Sequence, residues 1–86
     1  MKYEFPSELT VQNINDVPDI IKERREALNL PMMRLAVKSN LSQTAVHNTE
    51  AGMSYPTLCT FVRMMSALGY DSVTFDLKYM EEHDLL

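Results

Sequence analysis

Eighty-six residues, 45% of them apolar with only two glycines and four prolines, suffice for one small packed domain and exclude a multidomain enzyme, a disordered chain or a collagen-like one. The formal charge of −4 argues against a polyanion partner on its sum, but the charges are unevenly placed. Residues 20–70 carry six bases (Lys22, Arg24, Arg25, Arg34, Lys38, Arg63) against three acids, while residues 1–19 hold one base against four acids and residues 71–86 one against five, so a mildly basic middle is flanked by acidic ends.

There is no internal repeat, Gly/Ser linker or low-complexity tract. The chain divides into an arm (1–16), a helical domain (17–70) and a C-terminal strand with an acidic tail (71–86). Asp16-Val17-Pro18-Asp19 offers an N-cap carboxylate, a first-turn proline and a second acid, which predicts a first helix over Val17–Leu28. Ile20, Ile21, Ala27 and Leu28 form its apolar stripe. Asn29-Leu30-Pro31 breaks it, and a second helix spans Met32 to Ser39, closed by Asn40 in a left-handed turn. Ser42 caps a third helix over Gln43–Glu50, with Gly52 its left-handed stop. Pro56 opens a fourth helix, in which Leu58, Phe61, Val62, Met65 and Leu68 recur at helical spacing until Gly69. Over Ser72–Tyr79 the period becomes two. Val73, Phe75, Leu77 and Tyr79 alternate with polar residues, which predicts a half-buried strand. Its partner is either Lys2-Tyr3-Glu4-Phe5 or the same strand of a second subunit.

This succession resembles the Cro/C1-type (XRE) helix-turn-helix family over about residues 17 to 70. The likeness is carried by Ile21 to Leu30, by Leu35-Ala36 in the second helix, Asn40 at the turn, Val46 as the plug of the third helix, Glu50-Ala51-Gly52 at its end, and Pro56-Thr57-Leu58 with Ala67-Leu68-Gly69 around the fourth. It implies a mainly α, lambda-repressor-like bundle of four to five helices with a C-terminal β-strand. Three positions depart from the family pattern. Met32 stands where a polar residue is usual, Thr49 occupies a core position, and the loop Met53-Ser54-Tyr55 carries no base.

The resemblance points to double-stranded DNA. An α-helix fits the major groove, where polar side chains near its N-terminal end can meet base edges. Gln43 and Thr44 lie in the first turn of the third helix, and His47 and Asn48 follow four residues after each, so all four share one sector. Gln and Asn can bond adenine bidentately and the Thr methyl can touch a thymine methyl. By family position Gln43, Thr44 and Asn48 rank above His47. Phosphate contacts are expected from Arg34, Lys38, the amides around Ser42, and Ser54, Tyr55 and Thr57. Arg25 and Glu50 match a family ion pair that sets the angle of the third helix, a structural role.

Other chemistry finds little support. Cys59, the single cysteine, cannot close an intramolecular disulfide and reads as a small core residue. The histidines lack metal-ligand spacing and no glycine loop cradles a phosphate, so neither catalysis nor a metal or other cofactor is expected. Of Met32 and Met33, one is expected to be exposed, while Met64 and Met65 read as core filler. The amino terminus lacks a secretory signal and no run approaches the ~20 apolar residues of a bilayer span, so a cytoplasmic protein without membrane contact is expected. The resulting expectation is a homodimeric, sequence-specific transcriptional regulator, a repressor, dimerising through Val73, Phe75, Leu77 and Tyr79. The alternative is an antitoxin-like module that binds a toxin-like protein and regulates its own operon.

Overall fold

In the computed structural model, which describes residues 5–86, five helices carry a two-stranded sheet. Strand β1 (Glu8–Val11) is followed by a 3-10 turn (Ile14–Asp16), then α1 (Val17–Ala27), α2 (Met32–Ser39), α3 (Gln43–Glu50), α4 (Leu58–Ala67), strand β2 (Ser72–Phe75) and α5 (Leu77–Glu82). The mainly α bundle expected from the sequence is thus present, with its C-terminal strand paired to an N-terminal one. No helix of the described residues is long and apolar enough to cross a membrane.

Every helix stops in the same way. The left-handed residue after each is Asn29, Asn40, Gly52, Gly69 or Asp84, and the amide beyond it reaches back to the preceding turn, as in Leu41 N–H to the Ala36 carbonyl (2.8 Å) and Met53 N–H to Asn48 (2.9 Å). This reversal satisfies carbonyls that a helix end leaves orphaned. Asn40, at φ 57° and ψ 46°, makes the turn between α2 and α3 without glycine because its short amide tolerates that region.

The starts differ from expectation at two places. Asp16 does not cap α1: the 3-10 turn runs straight into the helix, Asp16 itself has helical angles, and the capping group is Asn13, whose Oδ1 accepts from Asn15 N–H at 2.9 Å. Pro56 lies outside α4, which is capped by Thr57 Oγ1 accepting from Thr60 N–H at 3.2 Å.

The core joins Ile21 of α1, Leu35 of α2, Val46 of α3, Met64 of α4, Leu68 just after it and Met80 of α5, all fully buried. Each large apolar side chain so buried contributes about 1.5–3 kcal/mol. Two buried hydroxyls are satisfied within their own helices, Ser39 by the Leu35 carbonyl and Thr49 by the Ala45 carbonyl (2.9 Å). Thr49 therefore holds its core position without an unpaired polar group.

The strand pattern at the C-terminus breaks sooner than its alternation suggests. β2 ends at Phe75, because Asp76 accepts from Tyr79 N–H through Oδ1 (3.0 Å) and starts α5. Leu77 and Tyr79 are therefore helical, not members of a strand. The partner also differs. β1 pairs with β2 in parallel, Leu9 opposite Val73 and Val11 opposite Phe75. Of the expected segment Lys2 to Phe5, Phe5 is outside any strand, and Lys2, Tyr3 and Glu4 lie outside the described residues. A parallel pair needs a long crossover, and here α1 to α4 supply it.

The stripe of α1 is also shifted. Ala27 is exposed, and Arg24 joins Val17 and Ile21 as a buried residue. Arg24 Nε donates to the Leu68 carbonyl (2.9 Å) and Nη1 to the Pro6 carbonyl (2.7 Å), and its guanidinium lies over the rings of Tyr70 (4.1 Å) and Phe5 (5.2 Å). One side chain thus ties the segment before β1 to the end of α4. Replacing Arg24 with Ala strands the Leu68 carbonyl and is expected to cost about 2–4 kcal/mol in urea unfolding. Lys, with a compact ammonium instead of a planar fork, is expected to recover only part of it. A loss below about 1 kcal/mol in the alanine variant would remove Arg24 from this role.

Candidate nucleic-acid interface

The third helix begins as its sequence dictates. Ser42 has extended backbone and its Oγ accepts from Ala45 N–H at 3.1 Å. With Val46, Thr49 and Glu50 turned inward, the opposite sector must face out. Gln43, Thr44 and His47 are exposed and Asn48 is half-buried. Gln43, Thr44 and His47 line one shallow depression of about 280 Å³ together with Met32. Met32 is half-buried against the core, and Met33 is the exposed member of that pair.

The angle of this helix is fixed from behind. Arg25 of α1 grips Glu50 at the end of α3 with two parallel hydrogen bonds, Nε to Oε2 at 2.7 Å and Nη2 to Oε1 at 2.9 Å. Nη1 donates to the Leu30 carbonyl at 2.9 Å. The Glu50 side chain is 4% exposed and that of Arg25 12%. The hydrogen bond to Glu50 raises the Arg25 pKa further above its ordinary value, burial opposes the shift, and the charges of Glu50 and Glu26 add to the rise. Bidentate geometry adds direction to charge, so this pair orients α3 as well as holding it.

The other residues singled out in the sequence do not gather in one place. Arg34 is exposed in the first turn of α2. Lys38 lines a separate depression of about 540 Å³ with Asn40, Arg63 and Ser66. Ser54 is exposed, Thr57 caps α4, and the Tyr55 hydroxyl donates to Asn15 Oδ1 at 2.6 Å, tying the loop after α3 to the turn before α1. Arg63 is not among the residues that the family resemblance points to. As the one base of α4, outside its apolar stripe, it was visible, but only the packing of α4 on α2 brings it beside Lys38.

The basic middle is also less basic at its surface than its composition suggests. Arg24 is buried and Arg25 is paired, which leaves Lys22, Arg34, Lys38 and Arg63 exposed. Cys59 is exposed as well, contrary to the expectation of a core residue, because α4 buries Phe61, Met64 and Met65 and Cys59 lies off that face. Among the described residues no three or more His, Cys, Asp or Glu side chains are grouped so that they could hold a metal ion.

Comparison with solved structures places this fold. The chain is similar to a tyrosine-to-alanine mutant of the restriction-modification controller protein C.Esp1396I, with a TM-score of 0.64 and 26% identity over 79% of this chain and 83% of that one. No family model and no curated protein matches the chain. Over the aligned part, the chain therefore shares its fold with a restriction-modification controller protein.

The ion pair yields a test. Glu50→Ala leaves the Arg25 charge with only the looser contact to Glu26 at 4.0 Å and is expected to cost about 3 kcal/mol in urea unfolding, whereas the double variant Arg25→Met with Glu50→Leu is expected to recover most of it. A double variant as unstable as the single one would show that the pair supplies net stability rather than orientation.

Proposed function

We propose that this chain is a sequence-specific DNA-binding transcription regulator, a repressor, acting as a homodimer with α3 of each protomer in the major groove. One observation carries the reading. The polar sector of α3, headed by Gln43 and Thr44, faces outward while Glu50 at its far end is clamped to α1, on a fold shared with a restriction-modification controller protein. A helix held this way enters a groove without first being ordered, so its contacts are not offset by the cost of ordering the helix.

In this reading Gln43, Thr44, Asn48 and His47 meet base edges, and Met32 supplies an apolar contact beside them. The free amides at the start of α3, around Ser42, hold a phosphate. Arg34, Lys38, Ser54 and Thr57 hold the backbone on either side and carry no sequence information. The Tyr55 hydroxyl gives its one proton to Asn15, so this residue fixes the loop that carries Ser54 instead of donating to a phosphate. With few exposed bases, electrostatic attraction per protomer is modest, and two linked protomers are needed for tight binding.

Selection of bound duplexes from a random pool, followed by salt titration, tests this. A preferred site with two half-sites about 34–36 Å apart is expected. Gln43→Ala or Asn48→Ala is expected to cost roughly 1–3 kcal/mol and to blur preference at one base position, whereas Arg34→Ala or Lys38→Ala weakens all sequences alike and lowers the salt slope by about one. Failure to enrich any duplex would remove the reading.

A further inference from the structure

Two open depressions adjoin on one side of α4. One, of about 240 Å³, lies between α4 and β2, and the other, of about 290 Å³, lies between α4 and the start of α1. They share Leu58, Phe61 and Phe75, so they form one continuous apolar face, and of all its lining residues only Asp71 is charged. At its lip Leu58 is 73% exposed and Val62 57%. The apolar stripe of α4 is therefore wider than the core can use.

We infer that a second copy of this chain covers this face, with Leu58 and Val62 of each protomer seated in the groove beside β2 of the other. The inference rests on the homodimeric reading above and names its surface. The patch holds both protruding side chains and an apolar groove, which is the self-complementarity that a two-fold contact demands. Charge favours the same choice. The chain carries −4 with its acid at the two ends, so a two-fold contact through those ends sets like charges together, while this face brings only Asp71 near its mate. The other exposed apolar pair, Met33 and Val37 on α2, flanks Arg34 and Lys38, and pairing that surface with itself gathers four bases.

A specific interface needs about 800 Å² per partner, roughly an eighth of the 5974 Å² surface of this chain. β2 is an end strand of the sheet and lines the groove, so its outer edge is available to a partner. Tyr55 belongs both to this face and to the loop that follows α3, so the face adjoins the segment that leads out of the reading helix.

Sedimentation equilibrium of the full chain, with far-UV circular dichroism as a fold control, tests the surface. The wild type is expected to dimerise, Leu58→Glu and Val62→Glu each to weaken association at least about tenfold while keeping the helical signal, and Val37→Glu to leave it unchanged. Both substituted positions are largely exposed in one chain, so folding does not depend on them. A wild type that stays monomeric at high micromolar concentration, a dimer that survives both glutamates, or one that dissociates with Val37→Glu would overturn the inference. So would capture of the face by a different protein in place of the second copy. Duplex selection on the same samples separates the two proposals. A dimer broken by Leu58→Glu that selects no duplex keeps the face and loses the DNA reading, and a duplex-selecting dimer indifferent to Leu58→Glu does the reverse.

Discussion

The bidentate grip of Arg25 on Glu50 is the constraint around which the helices are arranged. One guanidinium spans α1 and α3 and also holds the Leu30 carbonyl in the break before α2, so three helices share one fixed point. Its neighbour Arg24 points elsewhere, as successive helical residues must, and binds the end of α4 and the segment before β1. Two adjacent arginines on one helix thus hold opposite sides of the molecule. Neither is available to a ligand, so two of the six bases of residues 20–70 are committed to the architecture.

The helices were legible because their ends are chemically marked. Asn40, Gly52 and Gly69 each stand where a left-handed residue is needed, and Ser42 caps α3 as its type suggests. The C-terminal region is ambiguous in sequence because two periods fit it. Val73, Phe75, Leu77 and Tyr79 alternate, but Leu77 and Met80 are also three apart, and Met80 is fully buried. What decides between them is a hydrogen bond, Asp76 to the Tyr79 amide, which begins a helix that alternation alone does not announce. The strand Glu8 to Val11 carries its signal in only four residues, with Leu9 and Val11 inward, too few for a pattern to stand out. Its pairing with β2 depends on a contact across the whole helical crossover.

At the candidate interface the division is similar. The outward sector of α3 follows from its period alone, since burying Val46, Thr49 and Glu50 leaves Gln43, Thr44 and His47 facing out. Which bases stand near one another does not follow from it. Lys38 and Arg63 line one depression because α4 packs on α2, a fact of tertiary packing. α4 misleads in the opposite direction: Leu58 and Val62 complete a helical stripe in the sequence, yet the core closes over Phe61, Met64 and Met65 and leaves them in water. Periodicity identifies a residue as apolar-facing. It does not say whether the covering surface belongs to the same chain.

That difference bears on how the proposed reading would reach useful affinity. Three or four base-facing side chains, each worth about 1–3 kcal/mol of discrimination, on a chain of net negative charge, fall short of the ~11 kcal/mol that a 10⁻⁸ M complex requires once the cost of association is subtracted. Linking two such helices converts the second contact into an intramolecular one. The rigid mounting of α3 and the uncovered flank of α4 then answer the same deficit, the first by removing the cost of ordering the reader and the second by supplying another reader at fixed spacing. Tyr55 lies between them, its ring on the apolar face and its hydroxyl bound to Asn15, so the loop after α3 holds its position relative to both surfaces.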